Sequence, residues 1–222
     1  MASTSRISRF PAPQPSSENL LDDHRFHALL SNADWGRLPL PIWRRFSKRH
    51  AAGETVVYVG EVDEAGFSRI GWWLAQLARL IGGPLPTGAE TDVPMVVTVT
   101  EDAASGGQIW TRICGRKCGF PQVIHSSKRF AGPTGLEEYI GHGISMALRM
   151  SVEGEALVFR SAGYRLQAGW LGLSLPHWLT PGDLTVTHSD LGGGAFRFTL
   201  EIIHPRFGRL IHQSAVFREA IP

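Results

Sequence analysis

Cysteine is nearly absent. The 222 residues contain two, Cys114 and Cys118, in the run C-G-R-K-C. That offset is not the C-x-x-C of a thioredoxin-like site, and no second pair exists to complete a zinc ligand set. The nine histidines offer no H-E-x-x-H and no H-x-H spacing, so no metal is expected. Lysine is scarce too: Lys48, Lys117 and Lys128 are the only three, and arginine supplies the rest of the 22 basic residues. Against 20 acidic residues this leaves a formal net charge of +2, too small an excess to hold a nucleic-acid backbone by counterion release. Long apolar runs are also missing. The start, M-A-S-T-S-R-I-S-R-F-P, has no apolar core of a signal peptide, and Arg69, Gln76 and Arg79 interrupt the longest apolar helical stretch, Phe67 to Ile81. These absences point to a cytoplasmic protein without a membrane span. The Gly-rich run Leu191 to Gly194 falls between strands rather than between strand and helix, so a dinucleotide or phosphate cradle lacks its context and no cofactor is expected.

What the sequence does have is a regular pattern. Apolar residues make up 43%, enough for one core. A Ser-, Pro- and Arg-rich tail over residues 1–20 precedes a single domain over residues 21–222. Phe26, Leu29, Leu30 and Trp35 suggest a short helix, and Ile42, Trp43 and Phe46 a second one after Pro41. A third helix is predicted over Phe67 to Ile81, its apolar face formed by Phe67, Ile70, Trp73, Leu74, Leu77 and Ile81. A strand is read from Thr55 to Val59, and period-two alternation then dominates from Val93 to Phe217. The strands fall at 95–100, 108–114, 122–131, 138–152, 156–166, 184–189, 196–204 and 209–218. Short links make neighbours antiparallel, and exposed edges disappear only if the sheet curls. The fold class is therefore α+β and mostly β: a curved antiparallel meander of about eight or nine strands, a barrel or half-barrel, packed with two or three N-terminal helices.

Several segments carry a family resemblance. F-H-A-L-L-S-N-A-D-W-G-R-L-P at Phe26 to Pro39, R-R-F at Arg44 to Phe46, D-V-P-M-V-V-T-V at Asp92 to Val99 and W-T-R at Trp110 to Arg112 occur in order. L-G-L-S-L-P at Leu171 to Pro176 and F-R-F-T-L-E-I-I-H-P-R-F-G-R-L at Phe196 to Leu210 follow. Together they resemble the bacterial "domain of unknown function 4166" family over Phe26 to Phe217. The resemblance implies a domain found alone or joined to reductase- or epimerase-like modules, and no activity. This chain departs from the pattern around Thr187-His188 and at His212-Gln213-Ser214-Ala215, so any pocket lined there has altered chemistry.

Candidate site residues follow from strand parity. If 138–152 is one strand, Glu138, Ile140, His142, Ile144, Met146 and Leu148 share a face. In an apolar cavity desolvation raises a glutamate pKa and lowers a histidine pKa, which makes Glu138 and His142 a candidate acid-base pair. A bulge at Gly141 and Gly143 would break that parity. Trp110 and Arg112 share a face with Cys114, the indole as an apolar wall and the guanidinium as an anchor for a carboxylate or developing negative charge. Pairing of Arg112 with Glu137 or Glu138 is the structural alternative. Phe198 lies on an aromatic strand face ending in His204 at the rim. His212 and Ser214 share a face of the last strand, but no acidic partner or G-x-S-x-G elbow supports a hydrolytic triad. Trp73, Met146 and Phe159 complete the expected lining with Trp110, Phe198, His204 and His212.

These residues suggest cofactor-independent isomerisation or cyclisation of a largely apolar small molecule, with Glu138 and His142 moving protons and Arg112 stabilising negative charge. Two other classes suit the same pattern. One is a carrier or sensor of a lipid-like ligand; the other is an accessory domain docking on a reductase or epimerase partner.

Overall fold

The β-branched and aromatic alternation closes into a barrel. The computed structural model describes residues 23–48, 54–168 and 171–220, so the tail expected over residues 1–20 lies outside them. Eleven antiparallel strands form one sheet: β1 Thr55–Phe67, β2 Val93–Asp102, β3 Gly107–Cys114, β4 Gln122–Arg129, β5 Glu137–Gly141, β6 Ile144–Glu153, β7 Ala156–Ala168, β8 Leu171–Ser174, β9 Asp183–Gly192, β10 Ala195–His204 and β11 Gly208–Glu219. β1 pairs with both β2 and β11, and β7 pairs with both β6 and β9, which closes ten strands into a ring and leaves β8 as an annex on the far end of β7. Closure removes the free edges that an open meander would expose. At eight strands a barrel interior is nearly filled by its own side chains; ten strands widen it enough to leave a hollow.

The N-terminal helices stopper one end. α1 spans Asn32–Trp35, capped by the Ser31 hydroxyl accepting from the Asp34 amide, and α2 spans Leu40–Phe46 with Pro41 in its first turn. Trp35, Ile42 and Phe46 of these helices are buried, with Phe26 before them and Leu38 between them. The Phe26 ring meets Phe46 and Phe130 edge-on at 5.3 and 4.8 Å, and Phe46 reaches Phe159 of the barrel at 5.7 Å.

α3, Arg69–Ala78, crosses the opposite end and runs into a 3-10 turn at Arg79–Ile81. The Ser68 hydroxyl accepts from the Gly71 amide to start it, and Gly82 stops it in the left-handed region. Here the sequence-predicted face is corrected. Phe67 ends β1 rather than opening the helix, and Ile70, Trp73 and Leu77 are exposed. The buried side is Gly71, Ala75 and Ala78. A Cβ at residue 71 would lie 1.9 Å from the Leu210 carbonyl oxygen, so small residues are what let the helix lie on β11 at all. Among the described residues no helix is long and apolar enough to cross a membrane.

The second correction falls on the run 138–152, which is two strands and not one. His142 and Gly143 form a two-residue hairpin loop with φ of +51° and +76°. Positive φ at both central positions is the signature of a type I′ turn, whose twist suits the flanking strands. A side chain at residue 143 would put its Cβ 2.1 Å from the Gln167 carbonyl oxygen, so glycine is required there twice over.

Candidate functional site

The inward faces of the strands enclose a cavity of about 400 Å³, within the size range of small-molecule sites. Its walls are mostly apolar, with Met95, Ile124, Met146, Phe159, Phe198 and Leu200 among them. Three charged residues line it, namely Arg112, Lys128 and Glu138. Strand register explains how they meet. Lys128 of β4 is directly opposite Glu138 of β5, and Arg112 of β3 is opposite Ile124, one inward step before Ser126. Side chains of alternate residues face the same way, so Ile124, Ser126 and Lys128 all point to the hollow.

Hydrogen bonds link the polar cluster. Lys128 Nζ donates to Glu138 Oε2 at 3.1 Å, while Arg112 donates to Ser126 Oγ at 3.1 Å and contacts Glu138 Oε1 at 3.5 Å. The Lys128 ammonium also lies 5.0 Å from the Trp110 ring centre and 5.5 Å from that of Phe159, a cation-π pair of contacts. Trp110 is held in place by its indole N–H, which donates to Gln108 Oε1 at 3.2 Å. Burial alone would raise the Glu138 carboxyl, but the Lys128 and Arg112 charges overrule it and hold the group ionised, well below the usual carboxylate range. Burial lowers the Lys128 ammonium, with Glu138 opposing. Beside them the Tyr164 hydroxyl is buried without a hydrogen bond of good geometry, and burial, assisted by the Glu138 charge and opposed by Ser161, raises its pKa.

Of the sequence-derived candidates, Glu138, Arg112, Trp110, Met146, Phe159 and Phe198 all line this cavity. The remaining four do not. His142 sits exposed in the β5–β6 turn, so the acid-base pair expected with Glu138 is not assembled; the hairpin takes His142 out of the strand alternation. Trp73 is on the outer side of α3 because the helix packs on its small residues. His204 stands at the rim, its Nδ1 accepting from the Arg206 amide at 3.1 Å and its ring stacked on Phe207. His212 is on the outer face of β11, 3.1 Å from Glu64 and 3.3 Å from Glu201, whereas its neighbours Gln213 and Ala215 point inward. Thus one of the two departures from the family pattern does reach the lining, through Gln213. The other places His188 in the core, its ring stacked on Phe196 at 5.0 Å.

Lys128, Ser126 and Tyr164 escaped the sequence reading. A signal was available for the first: one of only three lysines stands two residues after Ser126 and four after Ile124, in phase with an inward-facing row. Both cysteines are free, Cys114 buried and Cys118 exposed, and burial raises the Cys114 thiol. Among the described residues no three His, Cys, Asp or Glu side chains are grouped to hold a metal ion.

No curated protein matches the chain. A family model, described as a domain of unknown function, matches residues 38–217, which takes in α2, α3 and the barrel strands that carry Arg112, Lys128 and Glu138. Since the match covers most of the 222 residues, the chain belongs to the DUF4166 family.

Proposed function

We propose that the barrel binds an amphipathic small molecule, an apolar body carrying one anionic group, and holds it without chemical change. The observation that carries this reading is the composition of the cavity: apolar walls around two cations and a single carboxylate. The surplus positive charge is accessible at Arg112, whose side chain is the most exposed of the three at 24%. A guanidinium has five N–H donors in a fixed fork, and only some are engaged by Ser126 and Glu138, so a ligand carboxylate or sulfonate fits the remainder. Tyr164 offers a further donor.

The same facts count against proton transfer by Glu138. A carboxylate pinned by two cations is a weak base and is not protonated at neutral pH, so it serves neither half of an acid-base cycle well. Isomerisation or cyclisation stays as a second reading only through Lys128, whose lowered pKa lets its amine lose its proton more readily than that of a solvated lysine.

The test uses two fluorophores of similar body, anilinonaphthalene sulfonate and the uncharged phenylnaphthylamine. The sulfonate is expected to bind more tightly, and Arg112→Met is expected to weaken it at least about tenfold, the equivalent of one charged hydrogen bond, while leaving the neutral probe unchanged. Equal binding of both probes, or indifference to Arg112→Met, overturns the proposal.

A further inference from the structure

α3 presents its large apolar residues to solvent. Trp73 and Leu77 are each 62% exposed and Leu80 80%, although the helix buries only Gly71, Ala75 and Ala78. A second segment repeats the pattern: in the turn after β8, Trp178 is 79% exposed and Leu179 is exposed beside it. Leu77 and Leu179 also line the cavity, so the two apolar patches flank its mouth. The β10–β11 turn belongs to the same end, since Gly182 packs against the Ile203 carbonyl, and it adds the exposed Phe207.

The charged side chains within the segments that form this end are arginines. Residues 68–89, 171–182 and 203–210 include Arg69, Arg79, Arg206 and Arg209 and no aspartate or glutamate. Three acids adjoin these segments, Glu90, Asp183 and Glu201, and Glu201 lies 3.7 Å from Arg209, so Arg69, Arg79 and Arg206 carry the positive surplus. Exposed tryptophans and leucines ringed by arginines match a bilayer interface, where indoles settle at the headgroup level and arginines meet anionic phosphates.

We propose that the α3 end of the barrel seats on an anionic phospholipid surface, with Trp73, Leu80 and Trp178 entering the headgroup region. The charge complementarity selects this occupant over an apolar protein face, which would leave the arginines desolvated and unpaired. In that orientation the cavity mouth opens towards the acyl region, so an amphipathic molecule passes between bilayer and barrel without crossing water. The seating itself does not rest on the cavity reading.

Flotation of the full chain with vesicles tests it, comparing pure phosphatidylcholine with phosphatidylcholine and phosphatidylglycerol at about two to one, a mixture with a negative surface potential. Binding is expected to the mixed vesicles and to weaken with added salt. Arg69→Gln with Arg79→Gln is expected to lower the partition at least about tenfold, from roughly 1 kcal/mol for each surface arginine. Trp73→Ser with Leu80→Ser and Trp178→Ser is expected to abolish it while leaving fluorophore binding in the cavity intact; none of these three lines the cavity. Arg112→Met should float like the parent, which separates this test from that of the cavity ligand. No flotation of the parent, or flotation that ignores both sets of changes, overturns the proposal. So does a stable dimer in solution that the Trp73, Leu80 and Trp178 changes dissolve, since a second copy then covers the face.

Discussion

Lys128 and Glu138 face each other across β4 and β5 inside the barrel, Nζ to Oε2 at 3.1 Å, and both are buried. Removing one partner of such a pair strands the other charge in low dielectric, which costs about 3–5 kcal/mol. The two partners are not equivalent, because Arg112 also reaches Glu138, at 3.5 Å. Glu138→Gln leaves two cations with no counter-charge, whereas Lys128→Met leaves a one-to-one pair. The expected order in urea unfolding is therefore a large loss for Glu138→Gln and a clearly smaller one for Lys128→Met. The Glu138 contribution has a pH window: the folded carboxyl is depressed, so its stabilisation is complete above the unfolded value and lost as pH falls through the folded one. A Lys128→Met variant that unfolds as readily as Glu138→Gln contradicts this account.

His188 supplies a second acid-sensitive group by the opposite route. Its ring lies among Phe46, Phe196 and Phe198, and neither ring nitrogen has a hydrogen-bond partner. Burial, reinforced by the Arg45 charge, pushes its pKa down to about 3 from an ordinary 6.5. Between those values the unfolded chain takes up a proton that the folded chain refuses, so stability falls as pH is lowered through that interval, by about 1.4 kcal/mol per pH unit at most. His188→Leu removes the proton and keeps the ring's apolar neighbours covered. Urea midpoints measured from pH 4 to 7 are expected to flatten by about one proton's worth in that variant. An unchanged slope would show that His188 already titrates normally in the folded barrel.

Periodicity gave the fold its legibility. Alternation of apolar and polar residues over β2, β3, β4, β10 and β11 located the strands within a few residues, and it is cleanest in β2, where buried and less buried residues alternate. The β5–β6 turn was hidden for a physical reason: His142-Gly143 is flanked by apolar residues in phase on both sides, so Glu138, Ile140, Ile144 and Met146 line the cavity as if the strand were continuous. The α3 face departs from its pattern because hydrophobicity alone points Trp73 inward, while the close approach to Leu210 admits only glycine at residue 71 and turns the side with Ala75 and Ala78 to the barrel. The charged cluster was half visible. Arg112 and Glu138 stood out, but Lys128 reads as an exposed end-of-strand lysine until closure of the ring puts its row inside.

Whether the hollow is a working site or slack packing is decided by filling it. Val186 of β9 lines the cavity on a strand other than the three that carry the polar cluster, so a larger side chain there is placed to take up cavity volume. Val186→Phe adds apolar volume that recovers about 1 kcal/mol of the packing a void forgoes. The variant is thus expected to unfold at the same temperature as the parent or slightly higher. Its affinity for anilinonaphthalene sulfonate is expected to drop at least about tenfold, since the probe and the new ring compete for one volume. Stability and binding then move in opposite directions, which a generally damaged protein does not do. Unchanged probe binding by a well-folded Val186→Phe would place the probe elsewhere on the molecule and remove the cavity from the account of ligand capture.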